Sequence, residues 1–95
     1  YKATVILKGA NTVVACSDGE IFINTTGNSG MASGGSGDVL SGIIVSLLAQ
    51  GYSEKDAAVT AVYIHGLAGD FAAKRLTKRS MIASDIIEEL KFIPY

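Results

Sequence analysis

Apolar positions follow two rhythms along this chain, strand-like before a glycine-dense stretch and helical after it. Thr4-Val-Ile-Leu-Lys8 is a short unbroken apolar run rich in β-branched residues, which predicts a strand buried on both faces. Gly9 to Asn11 punctuate it. Thr12 to Cys16 and Glu20 to Asn24 are two further β-prone runs separated by Ser17-Asp18-Gly19. Asp-Gly between such runs predicts a hairpin, because both residues tolerate positive φ. Beyond the glycines, Val39, Leu40, Ile43, Ile44, Leu47 and Leu48 form one broad helical stripe, with Gly51 as its left-handed terminator. Ser53 is the expected cap of a second helix, with Asp56 in its acidic first turn. Its inner stripe is mostly small: Ala58, Ala61, Val62, His65, Ala68, Gly69 and Ala72. Gly66 and Gly69 each cost about 1 kcal/mol in helix propensity, offset where they admit a close neighbour. A last helix is expected from a Ser84 cap to about Lys91, with Pro94 stopping it.

Asn24 to Gly37 holds five of the eleven glycines, a density that by itself would suit a flexible linker. Met31-Ala32 interrupts it and a strongly patterned helix follows at once, which argues for an ordered loop. Strands followed by helices around such a loop predict an α/β layered domain. The chain opens at Tyr1 with a strand almost immediately, so residues 1–95 are expected to be the C-terminal portion of a single domain.

Composition narrows the partners. The hydrophobic content of 48% belongs to a core-forming chain, although 95 residues bury only about 60–65% of their unfolded surface. A net charge of −1 with scattered signs gives no footprint for nucleic acid or an anionic membrane. Lys74, Arg75, Lys78 and Arg79 form the one basic cluster, read as the C-terminal end of a helix. The single cysteine, Cys16, has no internal disulfide partner and reads as packing, and no Cys/His set suits zinc; a reduced, cytoplasmic setting is expected. No stretch approaches the ~20 apolar residues of a membrane span.

The chemistry concentrates at Gly34-Gly35-Ser36-Gly37-Asp38. Glycines bring main chain close to a ligand, and the first amides of the following helix lack intrahelical partners at its positive end. Backbone alone can therefore hold a phosphate there. Asp38 has two readings: an acid favoured by the helix dipole, or an acceptor of a hydroxyl proton beside a phosphoryl held by those amides. No Lys-Ser/Thr follows the glycines as in a P-loop, and the third glycine of a dinucleotide fingerprint is missing. His65 reads as a satisfied core histidine and Asn28 as either a turn residue or a substrate contact.

The run Asn24-Thr-Thr-Gly-Asn-Ser-Gly-Met-Ala-Ser-Gly-Gly-Ser-Gly-Asp-Val-Leu-Ser-Gly-Ile43 closely resembles the signature of the ADP/ATP-dependent NAD(P)H-hydrate dehydratases, of the ribokinase-like superfamily. Leu7-Lys-Gly-Ala-Asn-Thr12, Tyr63-Ile-His-Gly66, Ala68-Gly-Asp70 and Ala83-Ser-Asp85 are similar to that family in the same order. The resemblance implies part of a three-layer αβα domain, considerably shorter than the family's. It implies phosphorylation of the hydroxyl of hydrated NADH or NADPH by ADP or ATP, with magnesium accompanying the nucleotide, then loss of phosphate. It places Asp38 at the hydrate as proton acceptor and Asn28 beside the substrate. Gly35, Ser36 and Gly37 would cradle phosphate, and Lys8, Gly9, Ala10, Asn11 and Thr12 would line the nucleotide site. Family members often form homo-oligomers. Two other readings share the Gly-Asp site: a vitamin-precursor or sugar kinase of the superfamily, and a non-catalytic nucleotide-binding fragment.

Overall fold

The computed structural model describes residues 3–8, 12–28, 31, 35–75 and 83–90. Three short strands, β1 (Val5–Leu7), β2 (Thr12–Ala15) and β3 (Ile21–Asn24), form an antiparallel sheet in the order β1-β2-β3. Ile6 pairs with Val14 and Val14 with Phe22, so these three share one face of the sheet and turn toward the helices. Val14 is only 1% exposed.

The opposite face carries Val5, Leu7, Ile21 and Ile23, of which Ile21 and Ile23 are about two-thirds exposed at 66% and 65%. β1 is therefore covered on one face among the described residues, not on both as its unbroken apolar run predicts. Such a run specifies that both faces are apolar; it does not supply the second layer.

The hairpin between β2 and β3 forms where Asp-Gly predicts it, by a different route. Gly19 alone has positive φ, at 93°, and donates to the Cys16 carbonyl at 3.0 Å, while Cys16 donates to the Glu20 carbonyl at 2.8 Å. This is a three-residue loop closed by a glycine bulge. Asp18 keeps an ordinary backbone conformation and accepts from the Glu20 amide at 3.0 Å. Lys55 then ties the turn to the helices, through Asp18 at 3.2 Å and Glu20.

Three helices follow, α1 (Ser36–Ala49), α2 (Glu54–Arg75) and α3 (Ala83–Leu90); α2 packs against β2 and β3, and α1 and α3 pack against α2. On α1, Leu40, Ile43 and Leu47 are buried and Val39 and Ile44 half-buried, but Leu48 is 42% exposed. The stripe is thus narrower than its sequence suggests. Gly51, with φ of 95°, ends the helix, and Tyr52 and Gly51 donate to the Leu47 and Leu48 carbonyls. These two bonds make a Schellman motif. α2 begins as expected, with the Ser53 hydroxyl accepting from the Asp56 amide at 3.1 Å.

The whole predicted stripe of α2 is buried, together with Ala57, Ile64 and Gly66. Arg75, in its last turn, pairs with Glu89 of α3 at 2.7 Å, and Ile86 of α3 is fully buried beneath it. α3 starts at Ala83, so Ser84 is its second residue and not the one before it. Lys78, Arg79, Lys91 and Pro94 lie outside the described residues. No helix among the described residues is long and apolar enough to cross a membrane.

Candidate active site at the mouth of α1

α1 opens on a glycine. Gly35 adopts the left-handed conformation at φ 89°, its carbonyl receives the Val39 amide at 3.1 Å, and no side chain caps the helix. Ser36, Gly37 and Asp38 form the first turn. Their amides belong to the set an α-helix leaves without internal partners, at its positive end.

Two nitrogen-bearing side chains meet this turn, Lys8 and His65. The Lys8 ammonium lies so close to Gly37 that a Cβ there would stand 3.0 Å from Nζ. His65, from the middle of α2, is 7% exposed, and its Nε2 sits 3.1 Å from the Ser36 carbonyl and 3.2 Å from the Ser36 hydroxyl. A carbonyl only accepts, so Nε2 carries the proton and donates. Burial pushes the His65 pKa below its ordinary value; the Ser36 bond opposes this and the nearby Lys8 charge adds to it. A neutral imidazole thus supports the turn while Lys8 supplies its positive charge.

Asp38 is exposed and makes no ion pair with any described residue. It lines an open groove of about 560 Å³ together with Gly35, Val39, Gly42, Ile43 and, from α3, Ile87. Among the described residues the site therefore combines a helix start without a side-chain cap, the Lys8 ammonium and the exposed Asp38 carboxylate beside a partly apolar groove.

The segment leading into this mouth is docked on α2. Asn24 donates to the Val62 carbonyl at 3.3 Å, and the Thr26 hydroxyl reaches the Tyr63 carbonyl at 3.2 Å. Asp70 accepts from the Gly27 amide and from the Asn28 side chain, both at 3.0 Å. The two helix glycines make this possible. A Cβ on Gly66 would stand 2.8 Å from the Thr26 carbonyl carbon, and one on Gly69 would stand 2.7 Å from Met31 side-chain carbons. The close neighbour that the small stripe anticipates is, at these two positions, the loop.

Of the residues expected at the site, Lys8, Gly35, Ser36, Gly37 and Asp38 gather at one helix mouth. Thr12 opens β2 opposite Asn24, and Asn28 is engaged by Asp70. Gly9, Ala10, Asn11 and Gly34 lie outside the described residues. Residue-by-residue reading assigned no role to Asp70, Thr26 or Asn24. Apart from the family-like motifs in which they lie, the signal was a pair of glycines inside a helix, which says that something approaches but not what.

Comparison with known proteins places the chain in a family. Residues 1–91 match the family model described as NAD(P)H-hydrate dehydratase, and the chain belongs to that family. It is 50% identical over its whole length to the bifunctional NAD(P)H-hydrate repair enzyme Nnr of Moorella thermoacetica, covering 17% of that protein. It is 54% identical over 74% of its length to the ADP-dependent (S)-NAD(P)H-hydrate dehydratase of Neisseria meningitidis, covering 24% of it. Among solved structures it is similar to the ADP/ATP-dependent NAD(P)H-hydrate dehydratase from Bacillus subtilis co-crystallised with ATP and Mg2+. The TM-score is 0.88 and the identity 34%, over 94% of this chain and 32% of that one. The chain thus spans at most about a third of the length of these relatives, and its part of the fold is the α/β fold they share.

Proposed function

We propose that the protein restores NADH or NADPH from its hydrate by nucleotide-dependent dehydration, with the mouth of α1 as the phosphoryl-transfer site. The observation that carries this reading is the placement of Lys8 against Gly37. An ammonium at the positive end of a helix is repelled there, by an amount typically of about 0.3–1 kcal/mol at a surface. An anion between the amides and Lys8 reverses that sign, and a nucleotide phosphate is the anion that the family's chemistry supplies.

In this reading, the hydroxyl on the reduced nicotinamide ring attacks the terminal phosphorus of ADP or ATP. Asp38 accepts the hydroxyl proton, the bond from phosphorus to the nucleotide's bridging oxygen breaks, and AMP or ADP leaves. The amides of Ser36 and Gly37, with Lys8, offset the charge on the transferring group. The ring C–O bond then breaks, phosphate departs with the electron pair, and a proton leaves the adjacent ring carbon to restore the double bond. Magnesium would neutralise charge on the nucleotide phosphates. Among the described residues no three His, Cys, Asp or Glu side chains converge as a metal cage, so the chain's share is to hold the phosphates. Gly9 to Thr12 would complete the nucleotide side and Asn28 the substrate side, within one domain of which residues 1–95 are the C-terminal part.

The test is to incubate the intact protein with NADH hydrate and each nucleotide while following recovery of reduced-nicotinamide absorbance. Recovery that requires ADP or ATP supports the reading. Phosphorylation of a sugar or vitamin precursor with no recovery would replace it by a small-molecule kinase.

A further inference from the structure

We infer that His65 is a positioning residue that aims the Gly37 amide at the phosphate. This rests on the phosphoryl-transfer reading of the α1 mouth. One peptide plane couples the two groups. The Ser36 carbonyl and the Gly37 N–H belong to the same trans planar unit and point in opposite directions, so fixing one fixes the other. His65 Nε2 holds that carbonyl at 3.1 Å from a buried position. The helical ladder also uses the carbonyl, but helix ends fray, and this one starts at a left-handed glycine without a side-chain cap. Within α1 the Ser41 hydroxyl donates to the Gly37 carbonyl at 3.1 Å, so the restraint from outside the helix is the buried imidazole. It acts from a different helix, so it ties the aim of Gly37 to the docking of α1 on α2. Its 3.2 Å contact with the Ser36 hydroxyl holds the same residue at a second atom.

The experiment compares His65→Gln, which keeps an N–H donor, with His65→Leu, which keeps bulk without one; His65→Met stands in should the leucine variant not fold. The first readout is the chemical shift of the Gly37 amide in 15N-glycine-labelled intact protein titrated with ADP. The second is the split between kcat and nucleotide KM with NADH hydrate. The ADP-dependent Gly37 shift is expected in wild type and His65→Gln and lost in the apolar variants. Their kcat should fall about 10- to 100-fold per folded molecule, while nucleotide KM changes less than about threefold, as for a weakened oxyanion-type donor.

An apolar variant with a wild-type Gly37 response, or a glutamine variant that folds but behaves like leucine, overturns the assignment. If wild type turns over no hydrate, the proposed function fails. The Gly37 response to ADP, and its dependence on a donor at position 65, still decides this inference.

Discussion

Two helices in this chain carry an aspartate at the same place in the first turn and end up with different surroundings for it. α1 and α2 each carry an aspartate at the third helical position, Asp38 and Asp56. At α2 the Ser53 hydroxyl takes the Asp56 amide and the mouth is closed. At α1 the corresponding position is Gly35, which has no side chain to offer, and the mouth stays open beside a groove. A closed mouth spends its free amide on local stability, whereas an open one leaves it for a ligand. The comparison shows why a carboxylate at a helix N-terminus is uninformative until its cap is known.

The largest test of this contrast uses the same substitution twice. Asp38→Asn is expected to cut turnover by about 10²-fold or more while sparing nucleotide affinity, as loss of a general base does. Asp56→Asn should leave turnover per folded molecule unchanged and cost at most a few tenths of a kcal/mol of stability. Equal kinetics for the two variants would break the distinction.

Next in size are two changes at the mouths themselves. Gly37→Ala puts a Cβ 3.0 Å from the Lys8 ammonium, the mobile end of an exposed side chain, so Lys8 moves aside. ADP affinity by calorimetry should fall about tenfold, the order of one charge-assisted hydrogen bond. Because alanine is the better helix former by about 1 kcal/mol, the melting temperature should hold or rise. Ser53→Ala should do the reverse, losing about 1 kcal/mol in denaturant unfolding with ADP affinity unchanged.

The smallest expected effect is a pH dependence. The folded-state pKa of His65 lies below its ordinary value of 6.5 because the ring is buried. The unfolded chain therefore binds more protons between the two values, and stability falls as pH drops below about 6.5, levelling off below the folded pKa. His65→Gln should flatten that part of the unfolding profile. An unchanged slope would mean that another group titrates there.

How much of this was visible in the sequence depended on whether a signal was local. The hairpin, the Schellman end at Gly51 and the Ser53 cap are each written in a few adjacent residues, and each formed. The uncapped helix mouth proposed as the phosphate site was legible from Gly35 to Asp38, because glycine there leaves the main chain uncovered. What stayed hidden was non-local. Nothing adjacent to Lys8 says that it reaches Gly37, and nothing adjacent to Asp70 says that it holds Gly27 and Asn28. β1 misled for the same reason, since burial of its second face depends on what lies across it. Asp18 misled more simply: its side chain, not an unusual φ, shapes the turn.

The two glycines in α2 have one more consequence. They weaken the helix where Thr26 and Met31 press against it, so the stretch from Gly66 to Asp70 borrows its order from the loop as much as the loop borrows from it. Amide protons there should exchange with solvent together with those of the loop. Anything that tightens one should slow exchange in the other.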